Sequence, residues 1–195
     1  MQEKGMKPDV YTYNTLMSGY AKRKYMDANK GLLYDEMVEK RIQPNLLTYN
    51  TMMLACCRCW EVEEAQKLFD EMKTRGINPD YNSYNLLIGG YSDKKGVMKE
   101  AFRVYDEMLK MGFDPTITTY DSLIIGLCNE NEVEHAEELL KEMVSKGICT
   151  QNDRTYLALT KIIKETPEVV GNDLMGDARF RTILENDKYM FFNCK

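Results

Sequence analysis

Side chains that carry an amide or a carboxyl group return along the sequence at intervals of 36, 35 and 36 residues: Asn14, Asn50, Asn85 and Asp121. A second polar side chain closes each interval: Asn45, Asp80, Thr116 and, as two alternatives for the fourth, Gln151 or Asn152. An amide offers a hydrogen-bond donor and an acceptor together. The two sets therefore predict recognition by hydrogen bonds. The alternative is that they only cap helices and shape turns.

Other candidate chemistry in the sequence is weak. Cys56 and Cys59 form a CxxC pair, but no second pair or histidine stands at the spacing of a zinc finger. His135 is the only histidine, and it lies among glutamates. The H-x-E and C-x-x-C signature of the nucleic-acid deaminases is absent. We therefore expect a protein that is not an enzyme, with no metal, no cofactor and no small-molecule substrate, and with cysteines that serve packing.

Composition sets the broad class of the protein. The chain has 195 residues, 44% of them hydrophobic, and a net charge of -5, which argues against general coating of nucleic acid. No run of 18 apolar residues exists, so we expect no membrane partner. The six cysteines are too few for a disulfide scaffold and indicate a reducing compartment. Met1 falls inside a repeat, so we expect the sequence to be part of a longer protein.

The polar positions belong to a repeated phrase of eleven residues. Its copies are KGMKPDVYTYN, KRIQPNLLTYN, RGINPDYNSYN and MGFDPTITTYD. After each copy, apolar residues recur at helical spacing, as in the set Tyr13, Leu16, Met17 and Tyr20. A second stripe with a central alanine follows, built around Ala65, Ala101 and Ala136. Gly76, Gly112 and Gly147 stand where helices end in a left-handed residue. One unit is therefore helix, turn, helix and glycine–proline turn.

A period of about 35 residues predicts an all-α, right-handed superhelical solenoid of helix-turn-helix repeats. We divide the chain as follows: the end of a truncated repeat at 1–9, repeats at 10–45, 46–80, 81–116 and 117–152, and a partial repeat with a capping segment at 153–195. The second helix of the first repeat departs from the pattern, so we expect an irregular helix start near Ala28 and Asn29.

These features resemble the pentatricopeptide repeat, of the P-class-like kind. The resemblance rests on the TYN opening, the cysteine in the first helix, the second helix with its alanine and EM pair, and the GI-x-PD ending. It covers about 165 of the 195 residues. It implies sequence-specific binding of single-stranded RNA, one base per repeat. It also implies a mitochondrial or chloroplast protein that acts in RNA processing, stability, splicing or translation, with other RNA-processing proteins as further partners.

The resemblance also assigns roles to residues. The base-reading residues would be Asn14, Asn45, Asn50, Asp80, Asn85, Thr116 and Asp121. The second residue of each repeat would sandwich the base: Tyr11, Leu47, Asn82 and Thr118. The phosphate contacts would be Lys22 and Arg58, whereas Asp93 and Asn129 occupy that position in the later repeats. The implied footprint reads 5′-pyrimidine, U, pyrimidine, undetermined-3′.

A second class of function remains open. The acidic balance and Asp93 favour a helical protein-interaction scaffold that has no role with RNA.

Overall fold

The computed structural model describes residues 7–22 and 33–148, all of whose regular structure is helical. The helices are α1 (Val10–Lys22), α2 (Asp35–Glu39), α3 (Leu46–Arg58), α4 (Val62–Thr74), α5 (Tyr81–Ser92), α6 (Met98–Lys110), α7 (Ile117–Asn129) and α8 (Val133–Ser145). The all-α fold predicted from the sequence is confirmed. The expected irregular start near Ala28 and the capping segment at 153–195 lie outside the described residues. Among the helices described, none is long and apolar enough to cross a membrane.

The chain divides into two compact units, Met1–Leu123 and Ile124–Lys195. Within the first unit, each first helix packs on the first helix of the next repeat, α1 on α3 and α3 on α5. Two first helices also pack on their own second helices, α3 on α4 and α5 on α6, and α4 contacts α5. In this unit, successive helix pairs therefore stack on one another, as the repeat predicts.

Local chemistry starts and ends the helices. Asn45 and Asp80 have extended backbones and accept the N–H of the residue three places on, which satisfies a donor that the helix cannot pair itself. At the other end, Gly76, Gly112 and Gly147 have φ angles of 75°, 83° and 70°. The predicted left-handed helix endings are confirmed at these three glycines.

The predicted apolar stripes form the core, with one correction. The central alanines Ala65, Ala101 and Ala136 are fully buried, as expected. In α1, however, Leu16 is 47% exposed and Tyr20 is 40% exposed. The prediction that both face the core was wrong.

The reason for the exposed pair is visible in α5. There Tyr91, which corresponds to Tyr20, is buried, and its hydroxyl donates to Gln66 of α4 across 3.4 Å. That side of a first helix is thus covered by the second helix of the preceding repeat. α1 is the first of the described helices, so no described helix precedes it.

Buried tyrosines tie the first helix of a repeat to the second. The ring of Tyr49 is fully buried, and its hydroxyl donates to Glu71 of α4 across 3.1 Å. Tyr84 reaches Glu107 of α6 in the same way, at 3.4 Å. A tyrosine can fill the core and still satisfy its hydroxyl at the edge of that core, so this position needs tyrosine rather than phenylalanine.

Candidate nucleic-acid interface

The polar pair of the second predicted repeat is joined directly. The amide nitrogen of Asn50, in the second turn of α3, donates to a carboxylate oxygen of Asp80 across 3.1 Å. The amide oxygen of Asn50 accepts from the hydroxyl of Ser83 at 2.7 Å. That hydroxyl also lies 2.8 Å from the same oxygen of Asp80. Asp80 caps α5, so the cap of the next helix and the amide of the previous helix share one oxygen.

The first predicted repeat has the same arrangement. The amide nitrogen of Asn14 donates to the side-chain oxygen of Asn45 across 3.2 Å. The hydroxyl of Thr48 donates to the amide oxygen of Asn14 at 2.8 Å. Asn45 must present oxygen at this point, because that atom also accepts the backbone N–H of Thr48 at 3.1 Å. Capping and side-chain pairing thus use the same residue and do not exclude each other.

In the third predicted repeat the connection runs through a hydroxyl. Thr119 donates to the amide oxygen of Asn85 across 2.7 Å. The hydroxyls of Thr116 and Thr119 are 3.2 Å apart, and the backbone N–H of Thr116 donates to the Thr119 hydroxyl at 3.0 Å. Since Thr119 has one hydroxyl hydrogen and gives it to Asn85, Thr116 is the donor between the two threonines.

The fourth predicted repeat is only partly described. Asp121 lies buried on α7 at 7% exposure. Its expected partner, Gln151 or Asn152, falls outside the described residues. The base-reading role of Asp121 therefore stays a prediction.

The three amides differ in how far they reach solvent. Asn14 is 4% exposed, whereas Asn50 and Asn85 are half-buried. Beyond the bonds described above, Asn50 keeps one N–H and one oxygen lone pair, and Asn85 keeps both N–H groups and one oxygen lone pair. These remaining groups are what a ligand could contact, so Asn50 and Asn85 are the better placed of the three.

Hydrogen bonds also stabilise the ionised carboxylate of Asp80. Burial alone would raise the pKa of Asp80, but the bonds from the backbone N–H and hydroxyl of Ser83 outweigh it. The amides of Asn50 and Asn82 add to these bonds, so the pKa of Asp80 lies below its ordinary value of 3.8. Asp80 is therefore a carboxylate at neutral pH and only accepts hydrogen bonds.

The predicted base-sandwiching side chains all lie at the surface. Tyr11 is 74% exposed and Leu47 is 55% exposed. Asn82 and Thr118 are also exposed, and the amide of Asn82 lies 3.4 Å from Asp80. An apolar side chain stands at this position in the first two repeats and a polar one in the next two, so a base held here would have an apolar surface to stack on in the first two.

The predicted phosphate contacts stand at the far end of the first helices. Arg58 is exposed in the last turn of α3, and its guanidinium donates to the carbonyl of Ala21 across 3.4 Å. Lys22 is the last residue of α1, and its side chain is outside the description. Asp93 is an exposed residue at the end of α5, and Asn129 ends α7 in the second unit. Among the side chains described at this position, Arg58 is therefore a cation and Asp93 an anion.

Of the CxxC pair, Cys56 is buried and Cys59 is half-buried, and two other cysteines of first helices, Cys57 and Cys128, are held as thiols. The Cys57 thiol donates to the carbonyl of Leu86 across 3.4 Å. Burial, with a smaller effect from Asp93, raises the pKa of Cys57 to about 12, and burial raises that of Cys128 to about 11. His135 is exposed and pairs with Glu132 at 3.0 Å. Among the described residues, no group of three or more potential ligands could hold a metal ion.

The hydroxyl that completes each cluster was not among the residues predicted from the sequence. Thr48, Ser83 and Thr119 are the third residues of their helices and are fully buried. Asp9 and Thr12 form the same cap at the start of α1, with Thr12 donating to Asp9 at 2.8 Å. A serine or threonine before the repeated tyrosine in every copy was the signal that could have identified them.

Comparison with known proteins places the repeat in context. The PPR repeat family model matches residues 44–93, 82–129 and 115–161, and the model of the pentatricopeptide repeat domain matches residues 1–59. A chloroplastic pentatricopeptide repeat-containing protein of Arabidopsis thaliana is 43% identical over 94 residues, 48% of this chain and 14% of that protein. A mitochondrial one from the same plant is 37% identical over 96 residues, 49% of this chain and 12% of that protein. The chain thus spans a small part of these relatives.

Solved structures show the same fold. Pentatricopeptide repeat protein PPR10 in complex with an 18-nt psaJ RNA element matches with a TM-score of 0.73 and 30% identity, over 83% of this chain and 23% of that one. PPR10 from maize gives a TM-score of 0.70 at 28% identity, over 96% and 25% of the two chains. The PPR domain of Arabidopsis thaliana protein-only RNase P 1, at 17% identity and a TM-score of 0.67, shares the fold alone. The predicted class, a solenoid of helical repeats, is confirmed.

Proposed function

The chain belongs to the pentatricopeptide repeat family, and from this membership we propose that it binds single-stranded RNA and reads one base with each repeat. The observation that carries the proposal is the direct bond between Asn50 and Asp80, which recurs between Asn14 and Asn45. Each bond joins the two positions that the family uses to choose a base. In both repeats an exposed apolar side chain, Tyr11 or Leu47, stands at the start of the same helix.

The proposed base preferences are those that the family resemblance implies for each pair, and the chemistry of the second pair supports its assignment. Asn50 retains a donor and an acceptor, and its partner Asp80 is a carboxylate that cannot donate. Uracil presents an N–H between two carbonyl oxygens, so an amide can donate to one oxygen and accept the N–H. We assign U to the second repeat. We assign C or U to the first repeat, where Asn45 carries an amide, and a weaker preference for a pyrimidine to the third.

The proposed role is that of an adaptor, which marks a transcript and leaves catalysis to other RNA-processing proteins. The curated relatives are named as chloroplastic and mitochondrial, which supports an organellar site of action. Processing, stabilisation, splicing or translation of the bound transcript would follow from where the RNA is marked. This level of function rests on family membership.

Replacement of Asn50 by threonine tests the proposal. The change removes the amide next to Asp80, and threonine with aspartate favours a purine in this family. We expect the second base to change from U toward G when paired RNAs that differ only at that base compete for the protein. Asn78→Thr is the matched control, because Asn78 is an exposed turn residue outside the three clusters.

An unchanged ranking of the RNAs would contradict the proposal. If the wild-type protein and Asn50→Thr rank the RNAs identically, the second repeat does not read sequence. The scaffold hypothesis, in which the same helices bind a protein, would then be favoured.

A further inference from the structure

A hydroxyl from the following repeat contacts every described asparagine of the proposed reading positions. Thr48 donates to Asn14 at 2.8 Å, Ser83 donates to Asn50 at 2.7 Å, and Thr119 donates to Asn85 at 2.7 Å. All three hydroxyl-bearing residues are fully buried. They touch the amide from behind and cannot reach a ligand themselves, so their effect on a ligand must act through the amide.

The orientation of an amide decides which pyrimidine it matches. Next to its N3 atom, uracil places a carbonyl oxygen beside an N–H, whereas cytosine places an amino group beside a bare ring nitrogen. An amide has a donor and an acceptor side by side, so it can pair with either base by turning over. A free amide would therefore distinguish U from C poorly, and only a fixed amide can distinguish them.

The number of groups that fix the amide differs between repeats. In the first two, an oxygen of Asn45 or Asp80 faces the amide nitrogen and a hydroxyl faces the amide oxygen. Turning either amide over would bring two oxygens together at the cap residue. In the third repeat, the bond that orients Asn85 comes from Thr119, which is itself oriented by the backbone N–H and hydroxyl of Thr116.

From this arrangement we infer that Thr119, whose buried hydroxyl is the one group that fixes the Asn85 amide through a bond described above, is a positioning residue for base choice in the third repeat. By fixing the amide, it sets the discrimination between U and C. The inference rests on the proposed function and deepens it. The repeats should therefore differ in how far their discrimination between U and C depends on a hydroxyl. In the third repeat it depends on Thr119. In the second repeat it should survive the loss of Ser83, because Asp80 still holds the amide nitrogen of Asn50.

The test uses the full chain and short single-stranded RNAs that differ only as U or C at one base. Thr119→Val keeps the shape of the side chain and removes the hydroxyl. We expect the ratio of affinities for U and C at the third base, about fivefold in the wild type for one oriented hydrogen bond, to fall to near one. Thr119→Ser should restore the ratio. Ser83→Ala should leave the ratio at the second base within about twofold of the wild type, since Asp80 remains.

Loss of stability must be separated from loss of orientation. Thr51→Val is the matched control, because Thr51 is another buried threonine of a first helix and its hydroxyl donates to the carbonyl of Leu47 within α3 at 2.7 Å. It should leave the ratio at every base unchanged. The inference is overturned if Thr119→Val keeps the wild-type ratio, or if the wild type itself does not distinguish U from C at the third base.

A second readout needs no RNA. The side-chain amide of Asn85, followed by nitrogen-15 relaxation in the free protein, should be rigid in the wild type and in Thr119→Ser and more mobile in Thr119→Val. Equal mobility in all three overturns the positioning role. If the amide responds as expected but the wild type ranks no base at the second position, the proposed function fails and the positioning of Asn85 stands. The two failures are thus distinguishable.

Discussion

The amide nitrogen of Asn50 and a carboxylate oxygen of Asp80 lie 3.1 Å apart, although 30 residues separate them in the chain. The same carboxylate caps α5 through the backbone N–H of Ser83 at 2.9 Å. One side chain therefore stabilises a helix and orients the neighbouring amide. Any change in the charge of Asp80 should therefore affect both the cap of α5 and the orientation of the Asn50 amide.

Acid should weaken this junction. The pKa of Asp80 is lower in the folded chain than its ordinary value of 3.8. Its contribution to the free energy of unfolding is therefore complete above about pH 5 and is lost as the pH falls through 3.8 and below. Asp80→Asn keeps an acceptor oxygen, as Asn45 does, but cannot titrate. In urea unfolding from pH 6 to pH 3, the wild type should lose stability relative to Asp80→Asn. A difference that is constant with pH would show that Asp80 is not held as a carboxylate.

Neighbouring glycines of α5 should respond oppositely to alanine. A Cβ atom at Gly90 would lie 2.7 Å from the sulfur of Cys57 and 3.0 Å from a methyl group of Val62. We expect Gly90→Ala to lower the free energy of unfolding by about 1–3 kcal/mol through overpacking. At Gly89 the nearest atom would be the Ser122 hydroxyl at an ordinary 3.6 Å, so Gly89→Ala should be neutral or stabilising by up to about 1 kcal/mol.

The double variant Gly90→Ala with Cys57→Ala checks the cause, because it removes the sulfur that the new methyl group meets. Thermal unfolding of the four proteins gives the comparison. If the double variant were no more stable than the two single losses combined, the contact with Cys57 would not be the source of the effect.

A glycine just after the C-terminal end of α2 should stabilise the protein. Arg41 has a φ angle of 58°, and its N–H donates to Val38 while that of Ile42 donates to Met37. Gly76 makes the corresponding bonds at the end of α4, with a φ angle of 75°. A side chain is strained in this left-handed region, so Arg41→Gly should raise the free energy of unfolding by about 1 kcal/mol. The reciprocal variant Gly76→Arg should lower it by a similar amount. Equal stability of both variants and the wild type would contradict the strain.

Salt dependence should report the proposed phosphate contacts. Arg58→Gln should weaken RNA binding to all sequences alike and reduce the slope of log affinity against log salt by about 0.7 for one lost contact. Asp93→Lys should strengthen binding and steepen the slope by a similar amount, with Asp93→Asn as the control for removal of the negative charge. If neither substitution changed the slope of log affinity against log salt, this position would not face the phosphates.

Much of this protein is readable from sequence because its determinants are local. Cap residues such as Asn45 act within three residues, a left-handed glycine such as Gly76 ends the helix just before it, and an apolar stripe needs only the helical period. For these reasons the four first helices, the glycine turns and the buried alanines could be predicted. Which polar residues recur in step could also be predicted, because recurrence is itself a property of the sequence.

The tertiary structure decided what the recurrent residues touch. The bonds that hydroxyls of the next repeat donate to Asn14, Asn50 and Asn85 join residues 33 or 34 apart. Their lengths depend on how closely α1, α3, α5 and the first turn of α7 stack. The close approach of Gly90 to Cys57 and the exposure of Leu16 and Tyr20 depend on the same stacking. Distance and rotation between neighbouring repeats arise from the packing of many side chains at once, so no single repeat encodes them.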